Sequence, residues 1–237
     1  MSRYDEEEHL SAPADDVHPN EVWAGWINEG KRPGSPLAAF AAQWEKKGSP
    51  LRQPLSELPM IIDTDIGDDP DDTFAIIAAA RAVKNLTLVA TCDEQDGRRA
   101  SLARHVLSLV GRDEVSVVAG KELGNATSLS GLAIPSFEAP TDLVARVVSV
   151  AERTPGDICW LGLGPMSNLA TLLRECPELA PRIRLIQMGG ALKLGRSEHN
   201  IRLDVPAAQF VLSRVIRPKF VLLDTTAHEE NALTEIH

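Results

Sequence analysis

The sequence predicts an α/β protein with an open, mainly parallel sheet and helices on both of its faces. From Leu58 onward, short apolar runs alternate with longer stretches in which apolar residues recur at helical spacing. This alternation is typical of successive strand–helix–strand units. The length of 237 residues corresponds to one domain with room for an additional segment. In a Rossmann-like sheet of this kind the ligand lies beyond the carboxyl ends of the strands, so functional residues are expected in the loops there.

The predicted elements follow one another in regular order. The strands are the short apolar runs Pro59 to Asp63, Leu86 to Thr91, Val115 to Ala119, Ile158 to Leu163, Ile183 to Met188 and Lys219 to Leu223. The helices are the amphipathic stretches Asp71 to Val83, Arg98 to Val110, Thr141 to Glu152, Met166 to Arg174 and Val205 to Ser213. A parallel sheet of six strands follows from this order.

Residues 1–55 differ in composition from the rest of the chain. They contain an acidic run, several prolines and three of the four Trp residues, Trp23, Trp26 and Trp44. Apolar spacing predicts short helices over Glu21 to Asn28 and Pro36 to Lys46. We therefore expect a Trp-containing helical or irregular extension over residues 1–55 and an α/β domain over residues 56–237.

Composition excludes several classes of function. The chain has 24 Lys and Arg against 34 Asp and Glu, and it contains no basic stripe that would attract nucleic acid. No apolar run approaches the roughly 18 to 20 residues that cross a membrane, and the acidic N-terminus lacks a signal-peptide core, so a cytoplasmic protein is expected. The three cysteines are far apart and show no CxxC spacing, which argues against a disulfide framework or a zinc site.

An acidic cluster follows the first predicted strand directly. Six carboxylates fall within ten residues, at Asp63, Asp65, Asp68, Asp69, Asp71 and Asp72. Such like charges repel one another without a cation, and an all-oxygen donor set suits Ca²⁺, or less favourably Mg²⁺. Gly67 permits a tight turn within the cluster. The alternative is a solvated acidic loop in which Asp71 or Asp72 caps the next helix.

Four segments extend this signal in order along the chain. Asp63 to Gly67 reads DxDxG and is followed, after two extra residues, by the pair Asp71 and Asp72. The other segments are Leu161 to Ala170, Ile186 to Ala191 and Glu198 to Ala208. Together they resemble the inosine-uridine preferring nucleoside hydrolases over roughly residues 59–226. The resemblance implies Ca²⁺-dependent hydrolysis of the N-glycosidic bond of a ribonucleoside or related N-riboside.

The resemblance also implies roles for the acidic residues. Asp65 matches the aspartate that is both metal ligand and catalytic base, and Asp72 matches a second carboxylate ligand. Asp71 matches the residue that accepts a hydrogen bond from a ribose hydroxyl. Because of the two-residue insertion, Asp69 is an alternative metal ligand. The main-chain carbonyl of Leu163 corresponds to a further ligand, for which the side chain is unimportant.

The later segments correspond to the sugar side of such a site. Glu198 and Asn200 match an ExN pair that binds ribose hydroxyls, and Met188 lies in the segment expected to approach the substrate. Outside the resemblance, Asn168 is interpreted as a helix-capping residue and Asp204 as the N-cap of the following helix.

The resemblance is incomplete at its C-terminal side. The family continues to an HD motif that supplies another metal ligand, and Thr225 to His237 does not recreate it. Three hypotheses follow: a compact hydrolase whose missing ligands are replaced, a related protein that binds a ribosyl ligand or acts as a subunit without turnover, and a structural protein. A homo-oligomer or a partner subunit is expected, since truncating an α/β domain exposes apolar surface.

Overall fold

The computed structural model describes residues 19–39, 41–42, 53–124, 129, 131–193 and 197–226. The chain divides into two compact units, Met1–Arg52 and Gln53–His237. In the first unit, helix α1 spans Pro19–Gly30 and is followed by a turn. Trp26 is half-exposed, whereas the side chains of Trp23 and Trp44 and part of the predicted helix Pro36 to Lys46 lie outside the described residues.

The second unit contains a parallel sheet. Its strands are β1 Met60–Thr64, β2 Leu86–Thr91, β3 Ser116–Ala119, β4 Ile158–Gly162, β5 Ile183–Met188 and β6 Lys219–Val221. Their spatial order is β3-β2-β1-β4-β5-β6, and every pairing between neighbours is parallel. This is the doubly wound order of a Rossmann-like sheet, so the predicted fold class is confirmed.

Helices connect the strands. They are α2 Asp71–Ala82, α3 Arg98–Leu109, α4 Leu143–Arg153, α5 Ser167–Glu175, α6 His199–Leu203, α7 Val205–Leu212 and α8 Leu223–Thr226. Two short 3₁₀ segments, Leu55–Glu57 and Pro177–Arg182, precede β1 and β5. The predicted strand to Leu223 was too long, because the chain leaves the sheet after Val221 and turns into α8.

The core lies on both faces of the sheet. Successive residues of β1 point to opposite faces, with Ile61 in one apolar cluster and Ile62 in the other. The cluster containing Ile61 includes buried residues of α4, α5 and α7, whereas the cluster containing Ile62 includes residues of α2 and α3. The predicted helices on both faces are thus confirmed. No helix among the described residues is long and apolar enough to span a bilayer.

The strand order also locates a crevice. β1 pairs with β2 on one side and with β4 on the other, so the connections leave the centre of the sheet in opposite directions. Such a switch point opens a crevice beyond the carboxyl ends of the two central strands. The acidic loop after β1 begins there.

Candidate functional site

A cavity of about 430 Å³ lies at this edge of the sheet. Its size is in the range of small-molecule sites, which is roughly 300–1,000 Å³. The cavity brings together every residue for which the sequence predicted a role in metal or substrate binding: Asp65, Asp69, Asp71, Asp72, Leu163, Met188, Glu198 and Asn200. These residues come from the carboxyl ends of β1, β4 and β5 and from the helices that follow.

Two carboxylates of the acidic loop are partly buried in the cavity wall. The Thr64 hydroxyl donates to Asp72 and accepts a 3.1 Å hydrogen bond from the Ile66 amide, which fixes the start of the loop. Burial raises the pKa of Asp65 to about 6, although the Arg99 guanidinium lowers it. Burial and the neighbouring Asp65 charge raise the pKa of Asp72 to about 7. The pair is therefore a place where a cation would relieve repulsion.

The other loop carboxylates are more accessible. Asp68, Asp69 and Asp71 are exposed at the cavity rim. Gly67 makes the turn with φ of +121°, and a Cβ at this position would lie 2.3 Å from the Leu129 side chain. Helix α2 begins after Pro70 without a side-chain cap, so neither Asp71 nor Asp72 is its N-cap.

Asn168 does not cap a helix, and that prediction was wrong. Its fully buried side chain donates to Asp63 Oδ1 at 2.8 Å and to the Thr91 carbonyl at 2.9 Å, and it accepts from the Lys121 amide at 2.9 Å. The amide group therefore joins α5 to the ends of β1, β2 and β3. Burial raises the pKa of Asp63 to about 8, which favours the neutral carboxyl near pH 7, and the group supports the loop through its hydrogen bond to Asn168.

Arg99 is a residue of the site that sequence reasoning missed. Its side chain is completely buried beneath the acidic loop, where it donates to the main-chain carbonyls of Asp65 and Ile66. The same guanidinium contacts Asp68 at 3.1 Å and Asp93 at 3.6 Å. The sequence shows only an Arg at the start of a helix, a position where the side chain is usually solvated. The one signal in the sequence was the loop of six carboxylates, whose negative charge favours a positively charged side chain beneath it.

Glu198 forms the N-cap of α6. Its carboxylate accepts hydrogen bonds from the amides of Asn200 at 2.8 Å, Ile201 at 2.9 Å and Gly190 at 3.1 Å. Gly190 has a positive φ of +81°, which lets its amide turn toward this carboxylate. An ionised carboxyl has about four acceptor positions, so one remains for a ligand.

Asn200 connects the ends of β4 and β5. Its side-chain amide donates to the Leu163 carbonyl at 2.5 Å and contacts the Met188 carbonyl at 3.3 Å and its sulfur at 3.4 Å. Leu163 lines the cavity, and its carbonyl has one of its two lone pairs already used by Asn200. Asp204, four residues on, accepts from the Ala207 amide at 3.0 Å, which confirms it as the N-cap of α7.

The chemistry of the cavity lining suits a hard cation. Asp65, Asp72 and Leu163 line the cavity, and carboxylate and carbonyl oxygens are the ligands that such cations prefer. Among the described residues, no group of three or more acidic, His or Cys side chains is arranged to hold a metal ion. The described part of the chain therefore supplies suitable oxygen donors without forming a metal site.

Sequence comparison places these features in a family. A profile described as "Inosine-uridine preferring nucleoside hydrolase" matches residues 60–237. The chain belongs to this family. The pyrimidine-specific ribonucleoside hydrolase RihA of Salmonella newport (strain SL254) is 32% identical over 193 residues, which cover 71% of this chain and 61% of RihA. The chain thus spans less than two thirds of the length of the relatives it matches.

Solved structures share the fold. The plant nucleoside hydrolase PpNRh1 superposes with a TM-score of 0.58 at 22% identity, covering 70% of this chain and 59% of PpNRh1. The type III effector protein XopQ, solved in complex with adenosine diphosphate ribose, gives a TM-score of 0.57 at 21% identity and covers 79% of this chain and 63% of XopQ. At these identities the likeness concerns the fold alone.

Proposed function

We propose that this protein hydrolyses the N-glycosidic bond of a ribonucleoside or related N-riboside with the help of Ca²⁺. The observation that carries the proposal is the single cavity lined by all eight predicted site residues. They come from segments more than 130 residues apart in the sequence, so their convergence is not a consequence of local sequence. Membership of the nucleoside hydrolase family supports the same reaction class.

In this proposal Asp65 is the catalytic base, and Asp65 and Asp72 hold the cation together with the Leu163 carbonyl. Asp69, at the rim, is the alternative ligand. A bound Ca²⁺ would make a coordinated water more acidic and fix its position. The Asp65 carboxylate accepts the proton of the attacking water, a role that suits a carboxylate held partly out of solvent.

Other residues of the cavity lining bind the sugar. Asp71 accepts a hydrogen bond from a ribose hydroxyl, and the remaining acceptor position of Glu198 binds another. Asn200 and Met188 complete the sugar-binding set, and the hydrogen bonds of Asn200 to both strand ends fix its orientation. Rigid support of this kind keeps the reacting carbon within reach of the water.

A second function is binding of a ribosyl ligand without turnover, alone or as a subunit of a larger complex. The chain spans 61% of RihA, and its described residues contain no group of three or more acidic, His or Cys side chains arranged to hold a metal ion. The fold neighbour XopQ was solved with adenosine diphosphate ribose, which makes that compound a suitable probe. Both functions use the same cavity, so turnover distinguishes them.

Ribose release from a nucleoside panel is the decisive assay. The full chain is stripped with a chelator and incubated with inosine, uridine, adenosine and cytidine, with and without added CaCl₂. Calorimetric titration of CaCl₂ and of adenosine diphosphate ribose accompanies the assay. Ca²⁺-dependent ribose release supports the hydrolase. Binding without release supports the second function. The absence of both binding and release would contradict both functions.

We also expect the protein to associate with itself or with a partner subunit. Ile216 and Leu192 are large apolar side chains that are 53% and 78% exposed. Sedimentation tests this expectation, which a mass equal to one 25.7 kDa chain would contradict. The cytoplasmic location stays a prediction.

A further inference from the structure

Arg99 lies under the acidic loop without lining the cavity. Its side chain is 0% exposed, and one terminal nitrogen donates to both the Asp65 and the Ile66 carbonyls. The other terminal nitrogen contacts Asp68 Oδ2 at 3.1 Å. One guanidinium thus contacts the main chain at Asp65, the proposed base, and the side chain of Asp68 further along the loop.

The Arg99 side chain is itself held in place by the connection between β2 and α3. Its Nε donates to the Asp93 carbonyl at 2.8 Å, and the buried Asp93 carboxylate lies 3.6 Å from the guanidinium. The buried Glu94 carboxylate accepts from the main-chain amides of Arg99 at 3.3 Å and Ala100 at 2.8 Å. Asp93 retains a φ of +52°, which is uncommon for a residue other than Gly. The connection from β2 to α3 is therefore a firm support for the side chain.

The chemistry of the side chain limits what can replace it. Removing a guanidinium from water is costly and is offset only when its donors find partners. The flat fork of Arg reaches two carbonyls and a carboxylate at once, whereas the ammonium of Lys is a compact point charge on a flexible stem. A residue that served only to neutralise the loop could be Lys. The fork is required to contact the Asp65 and Ile66 carbonyls through one terminal nitrogen while the other reaches Asp68 and Nε reaches the Asp93 carbonyl.

We propose that Arg99 is a positioning residue that clamps the main chain at Asp65 and thereby keeps the Asp65 carboxylate in place on the cavity wall. It touches neither substrate nor the reacting atoms. The catalytic consequence of this clamp rests on the proposed hydrolase function. The clamp itself is a property of the loop and can be measured without turnover.

The test compares Arg99→Lys with a matched control on the same helix. Arg104 also donates to main-chain carbonyls, those of Asp113 at 3.2 Å and Val115 at 2.9 Å, and it lines no part of the cavity. Arg104→Lys therefore removes an equivalent fork without affecting the loop. For each full-length variant, hydrogen exchange of peptides spanning residues 61–72 is measured together with kcat and KM for the best riboside.

Arg99→Lys is expected to speed amide exchange in the loop about tenfold and to lower kcat about 100-fold, with KM within about threefold of the original. Arg104→Lys should leave both loop exchange and kcat unchanged. If Arg99→Lys does not fold, the double variant Arg99→Gln/Asp93→Asn removes both buried charges and gives the same comparison.

Unchanged loop exchange in Arg99→Lys would overturn the clamp, and faster exchange with an unchanged kcat would overturn its role in positioning the Asp65 carboxylate. If the unmodified protein releases no ribose, the proposed function fails separately. In that case the exchange data still decide: a loop loosened by Arg99→Lys alone supports the clamp, and a loop equally protected in both variants overturns it.

Discussion

Replacing Asn168 with Ala should destabilise the α/β unit by about 4 kcal/mol. The side chain makes three hydrogen bonds, to Asp63, the Thr91 carbonyl and the Lys121 amide, each worth about 1 kcal/mol. The Thr91 carbonyl keeps a second partner, the Gly120 amide at 2.9 Å. The Asp63 carboxyl is only 1% exposed, and removing the Asn168 amide from this buried group adds roughly 1 kcal/mol or more.

Urea unfolding followed by the fluorescence of the buried Trp160 measures this loss. In a thermal scan, the same change corresponds to a fall of about 12 °C for a unit of this size. Asn85→Ala is the matched control, since this exposed Asn also donates to a carbonyl, that of Glu57 at 3.0 Å. A loss below about 1 kcal/mol for Asn168→Ala, equal to the control, would refute the reasoning.

Other substitutions test the supports of the site. In Gly162→Ala the added Cβ would lie 2.0 Å from Gln187 Oε1. Gln187 cannot move away easily, because it is buried and its side-chain amide is hydrogen-bonded, so the free energy of unfolding in urea should fall by about 2 kcal/mol. Asp204→Ala removes the α7 cap and should cost about 1–2 kcal/mol by the same method, whereas Asp204→Asn should cost less than half of that. Burial raises the pKa of the Cys159 thiol to about 11. At pH 8 the native protein should therefore be alkylated at the partly exposed Cys176 before Cys159, and mass spectrometry of the alkylated protein measures the order. Equal alkylation rates at the two cysteines would contradict this prediction.

The sheet could be predicted because each strand is encoded locally. β1 begins with a continuous apolar run and β4 is apolar up to Gly162, and their burial on both faces explains the absence of polar alternation. The end of β6 could not be read in the same way, because the apolar residues Leu222 and Leu223 continue the run beyond the point where the chain leaves the sheet. Apolar content alone does not show where strand pairing stops.

The residues facing the cavity could be predicted, but their supports could not. Asp65 and Glu198 belong to recognisable segments, and the topology brings these segments together at the switch point. Asn168 and Arg99 act through partners 31 or more residues away in sequence, in Asp63 and Asp68. Nothing local distinguishes them from an ordinary helix cap and a solvated arginine. Buried polar groups are specified by tertiary contacts, and only the structure supplies those.

Ribose release by Asp65→Asn shows whether Asp65 is the catalytic base. The full chain and the variants Asp65→Asn and Asp96→Asn are compared for kcat/KM on the best riboside in the presence of CaCl₂. Asp96 is an exposed Asp with φ of +50° that lies outside the cavity lining, and Asn tolerates that conformation. The proposed role of Asp65 predicts a loss of about 10²- to 10⁴-fold for Asp65→Asn and no change for Asp96→Asn. Equal ribose release by the unmodified protein and Asp65→Asn would contradict it.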